Sequence, residues 1–156
     1  MSVRSAAHTS FTIARDMPAP PAEVFRAWSD PEAKRRWTGC HPDMTREHDL
    51  DFRPGGLEVN RMTGPDGAVF LVEARFIEIL KDQRIIYAYD YRVGGQRTSA
   101  SLVTVEFSPG GRGTTMVFTE QVAFLDGHDE RDERIHGTNE GFDRLELDLQ
   151  RALTRQ

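Results

Sequence analysis

Cysteine is nearly missing. The 156 residues contain one, Cys40, so no internal disulfide can form and nothing in the composition points to an oxidising compartment. No apolar run approaches the ~20 residues that a membrane-spanning helix needs. The opening stretch, Met1-Ser2-Val3-Arg4-Ser5-Ala6-Ala7-His8, lacks the apolar centre of a secretory signal, and a cytoplasmic location is expected. Basic charge is also short. Twenty Lys and Arg against twenty-five Asp and Glu leave a net charge of -5, a field that repels nucleic acid and anionic lipid. With no repeat, low-complexity tract or long linker, one domain is expected over 1–156, with 1–8 as a flexible lead.

Motifs for several chemistries are missing too. Metal-ligating residue types cluster once, at Cys40-His41-Pro42-Asp43, without the paired spacing of a structural zinc site. Neither a metal nor a cofactor is therefore expected. The turn Arg53-Pro54-Gly55-Gly56 has no helix behind it to aim at an anion, which excludes a phosphate loop. No serine, nor Cys40, sits in a motif that supplies a neighbouring base.

What is present is periodicity. Residues 11–15 alternate as a half-buried strand does. Pro20 and Pro21 suit the first turn of a helix whose apolar face carries Val24, Phe25 and Trp28. Asp30-Pro31 reads as the N-cap and first turn of a second helix running to Trp37. From Met44 the period is two, and turns at Pro54-Gly55-Gly56, Gly64-Pro65-Asp66-Gly67, Lys81-Asp82-Gln83, Gly94-Gly95 and Pro109-Gly110-Gly111 divide six strands. Connections this short require antiparallel neighbours. Past Asp126-Gly127 the period turns helical, with acidic residues in the first turn and a stripe of Ile135, Phe142, Leu145, Leu149 and Ala152. An α+β helix-grip fold follows: a curved antiparallel sheet around a long C-terminal helix, with two short helices after the first strand.

Several segments resemble a known family in order and spacing. They are 19–28, Asp30-Pro31, Trp37, Arg53-Pro54-Gly55-Gly56, Gly64-Pro65-Asp66-Gly67, Arg84-Ile85-Ile86-Tyr87 and Gly113-Thr114. The chain resembles the START-like (SRPBCC) superfamily, in its AHSA-like branch of homologues of the activator of the heat-shock chaperone ATPase. Thr119-Glu120-Gln121, 124–127 and 134–138 look like a bacterial polyketide-cyclase-like subgroup. The resemblance implies a hydrophobic cavity between sheet and helix. It implies no single chemistry, because such a fold hosts carriers, receptors, cyclases and chaperone partners. Gly141-Phe142 stands where many relatives carry Gly-Trp, so an aromatic is kept.

Alternation also selects polar residues that share a face with apolar ones. Arg15 goes with Phe11 and Ile13, Arg46 and His48 with Met44, Leu50 and Phe52, and Glu120 with Met116 and Phe118. They either orient a ligand's polar group or form rim and internal ion pairs. Tyr87, Tyr89 and Tyr91 share one strand face, lining a pocket or simply packing. Gly137 and Gly141, one turn apart in the long helix, suggest close backbone approach or space for a ligand. The expected ligand-contacting set is Arg15, Arg46, His48, Tyr87, Tyr89, Glu120, Gly137, Gly141 and Phe142.

The leading reading is a binding protein for a small hydrophobic or amphipathic molecule. The second is a cyclase or dehydratase on an aromatic or polyketide-like substrate, with His48, Glu120 or Arg46 as acid-base groups. A co-chaperone in stress response ranks last, because the additional N-terminal domain of eukaryotic activators is not seen. A homodimer is left open.

Overall fold

The computed structural model describes residues 4–39 and 41–155, so Cys40 lies outside the described residues. Strand β1 (Ala6–Met17) leads to helices α1 (Pro21–Ser29) and α2 (Pro31–Trp37). Six strands follow: β2 (Thr45–Leu50), β3 (Leu57–Thr63), β4 (Val69–Leu80), β5 (Arg84–Val93), β6 (Gln96–Gly110) and β7 (Gly113–Leu125). Helix α3 (Arg131–Thr154) closes the order. The strands form one antiparallel sheet in the order β1-β7-β6-β5-β4-β3-β2. This is the α+β helix-grip arrangement.

Local chemistry explains the boundaries. The Asp30 carboxylate accepts from the Ala33 amide at 3.0 Å, capping α2, while Pro31 occupies a first-turn position that has no hydrogen bond to lose. Gly55 and Gly67 turn the chain with φ of 81° and 86°, values that disfavour any side chain. A Cβ at Gly113 would overlap the Ala19 backbone, and Thr114 Oγ1 donates to Ala19 O at 2.6 Å. That contact fixes where α1 starts. Because β1 and β2 are opposite edges of the sheet, α1 and α2 must cross its width. The same sheet face packs against α1, α2 and α3 around Trp28, Trp37, Phe118, Phe142 and Leu145.

Two expectations change. Residues 6–8, expected to be loose, pair with 123–125 as the start of β1, since ladder hydrogen bonds need no apolar alternation. On α3 the buried stripe ends at Leu149, and Ala152 is exposed. No helix among the described residues is long and apolar enough to cross a membrane.

Candidate functional site: a chamber under the C-terminal helix

A cavity of about 480 Å³ lies between the helix-covered sheet face and the first half of α3. That size is typical of small-molecule sites. Its apolar wall includes Trp28, Trp37, Phe118, Phe142 and Tyr87. Trp28 and Trp37 meet edge to face with centroids 4.8 Å apart, and Trp28 and Phe118 stack at 6.4 Å. Helix α3 leaves room: a methyl group added at Gly137 would meet nothing within 4 Å. Gly141 differs. There a methyl would sit 3.7 Å from Trp37 O and 3.8 Å from Trp37 Cε3, ordinary contact against α2. Of the two meanings open for these glycines, Gly137 leaves space and Gly141 serves helix packing.

Two charged clusters interrupt the apolar wall. In the first, Glu120 Oε2 accepts from Tyr89 Oη and Ser101 Oγ at 2.7 Å and from Arg134 Nη1 at 2.9 Å. Arg134 Nη2 donates to Ser99 Oγ at 2.8 Å, and its guanidinium lies 5.2–5.7 Å from the rings of Tyr89, Tyr91 and Phe124. Burial pushes the Tyr89 hydroxyl well up, the Glu120 carboxylate pushes it further, and Arg134 offsets only part of this. Tyr87 is raised too, chiefly by burial. For Arg134, burial works against the charge, yet Tyr89 and Glu120 outweigh it and strengthen the protonated form.

The second cluster joins α2 to the β2–β3 edge. Lys34 Nζ donates to Glu58 Oε1 at 2.5 Å, and His48 Nε2 lies 2.7 Å from Glu58 Oε2. The ammonium is 5.3–5.6 Å from the rings of Trp28, Phe76 and Tyr87. Lys34 is 4% exposed, so its charge depends on that carboxylate. Burial alone would raise the Glu58 carboxyl; the Lys34 ammonium and the hydrogen bonds from His48 and Lys34 outweigh it and hold the group at about 2.

The expected site residues divide. Tyr87, Tyr89, Glu120, Gly137, Gly141 and Phe142 all line the chamber. His48 stands one layer behind, its side chain 1% exposed against Glu58. Arg46 faces the helices but donates to Thr38 Oγ1, Arg35 O and Asn60 Oδ1, fixing the end of α2 rather than lining the wall. Arg15 docks α3 onto β1 through Asn139 and Asp143 and also lies off the wall. Lys34, Glu58 and Arg134 were missed. Glu58 alternates with Asn60 and Met62, Lys34 precedes Trp37 by three, and Arg134 extends the Gly141–Thr138 stripe by one turn. Those spacings were the available signals.

Comparison with curated proteins gives no match. Among solved structures, one from Rhizobium leguminosarum, described as an uncharacterised protein, is 50% identical. It superposes with a TM-score of 0.91 over 96% of this chain and 99% of its own. Mll3558 of Rhizobium loti is 40% identical, with a TM-score of 0.86 over 92% of this chain and 98% of its own. CV1439 of Chromobacterium violaceum, 20% identical, shares the fold with a TM-score of 0.72, covering 88% of this chain and 95% of its own. Residues 18–151 match the family described as "Activator of Hsp90 ATPase homolog 1-like protein". The chain belongs to that family, an AHSA-like member of the START-like (SRPBCC) superfamily.

Proposed function

We propose that this protein binds a small, largely apolar molecule in the chamber between sheet and α3. The carrying observation is the wall itself: about 480 Å³ bounded by closely packed aromatics, with Gly137 leaving α3 open toward it. Apolar surface supplies the affinity, and the two polar clusters orient the occupant. Orientation is the role assigned to them, rather than bond making, because each is already neutralised by an internal ion pair. Tyr87 and Tyr89, raised by burial, act as neutral hydroxyls and not as bases.

A neutral dye that brightens in apolar surroundings tests this. Nile red should bind saturably, one per folded chain. Gly137→Phe, which projects a ring into the open space, should weaken it by at least tenfold (about 1.4 kcal/mol). Absence of saturable binding, or a Gly137→Phe variant that binds as before while folded, would refute the proposal.

A further inference from the structure

Hydrogen-bond capacity left over on the chamber wall identifies what the occupant must carry. All three donors that reach Glu120 converge on Oε2, from Tyr89, Ser101 and Arg134. Among the described residues none reaches Oε1, although Glu120 is only 1% exposed and lines the cavity. The chamber therefore presents one carboxylate oxygen without a donor. Two of the three cations on the wall are paired with carboxylates, Lys34 with Glu58 and Arg134 with Glu120, and Arg134 also donates to Ser99. The third, Arg144, donates through Nε to Trp37 O at 2.9 Å and has no carboxylate partner among the described residues. Glu130 and Glu133 add two further carboxylates to the same wall.

We propose that the chamber selects neutral molecules bearing a hydroxyl or N–H that donates to Glu120 Oε1, and rejects carboxylates of the same shape. This rests on the binding reading above and specifies its ligand class. A ligand carboxylate placed at Oε1 would meet Glu120 itself, whose counter-ion Arg134 is already engaged. Arg144 lies ten residues beyond Arg134 along α3, about 15 Å away, and a desolvated anion without a partner is the costliest thing to bury. A cationic ligand would approach Arg134 and Lys34, which already neutralise the two buried acids. A neutral donor satisfies Oε1 at the smallest desolvation cost.

Three probes of one ring size separate the terms at pH 7: 2-naphthol, its methyl ether 2-methoxynaphthalene, and 2-naphthoate. Titrated into the wild-type protein, 2-naphthol should bind at least about tenfold more tightly than either of the others, the scale of one hydrogen bond to a charged acceptor. The carboxyl carbon resonance of Glu120 should shift with the naphthol and stay put with the ether. Equal or tighter binding of ether or naphthoate would overturn the selectivity while leaving chamber binding intact. A Glu120 resonance that ignores the naphthol would overturn the assignment to Oε1. Failure of all three probes to bind would overturn both this inference and the binding reading. Glu120→Gln should bring naphthol and ether to within about threefold of each other; because it strips Arg134 of its counter-ion, the wild-type comparison carries the test alone if that variant does not fold.

Discussion

Replacing Glu58 by glutamine should expose how much the Lys34–Glu58–His48 cluster matters. The substitution keeps the shape and an acceptor for His48 Nε2, but leaves an ammonium that is 4% exposed without its carboxylate. Breaking one half of a buried ion pair costs about 3–5 kcal/mol. A carboxyl held at about 2, against 4.5 in the unfolded chain, independently gives about 3 kcal/mol. At about 2–4 °C per kcal/mol for a chain of this size, the melting temperature should fall by roughly 6–20 °C. Adding Lys34→Met removes the stranded charge and places an apolar side chain among Trp28, Phe76 and Tyr87. The double variant should therefore recover more than about 1 kcal/mol relative to Glu58→Gln alone. Urea denaturation of the four proteins, wild type, both single variants and the double, measures the coupling. Strict additivity, or a Glu58→Gln cost below about 1 kcal/mol, would refute the claim that a buried, mutually dependent pair holds α2 to the sheet.

Acid should act through the same residue. The unfolded chain takes up a proton at Glu58 near pH 4.5 and the native state only near 2, so stability is present above 4.5 and declines as pH falls toward 2. Glu58→Gln should flatten that part of a stability–pH curve measured by denaturant titration. Gly137→Ala should stabilise the fold by about 0.5–1 kcal/mol, since the methyl meets nothing within 4 Å and alanine favours a helix interior; a lower melting temperature would show that the helix there is strained or closed.

Much of the fold was legible because turn and cap chemistry is local. Asp30-Pro31 and the glycine turns declare their conformations within a few residues, and period-two alternation assigned Glu120 and His48 to the helix-covered face. Alternation fixes a face, though not a position along it. Arg15 and Arg46 share that face, yet one lies opposite Asn139 and Asp143 of α3 and the other opposite the end of α2. The centre of the site was less legible, because charge partners are tertiary. Lys34 and Glu58 are 24 residues apart, and each is acceptable inside only through the other. Arg134 joins β5, β6 and β7 through Tyr89, Ser99, Ser101 and Glu120, a convergence that no spacing within α3 announces.

The chain's two tryptophans, Trp28 and Trp37, both line the chamber, which makes their indole N–H resonances its own reporters. Trp37 Nε1 already donates to Ala27 O at 2.8 Å, whereas Trp28 Nε1 is buried without a hydrogen-bond acceptor among the described residues. Titration of 15N-labelled protein with 2-naphthol should move both indole signals along one saturable curve, with Trp28 shifting further. Saturable shifts confined to the opposite face of the sheet, at Thr12, Thr104 and Thr119, with both indoles unmoved, would contradict binding under the C-terminal helix.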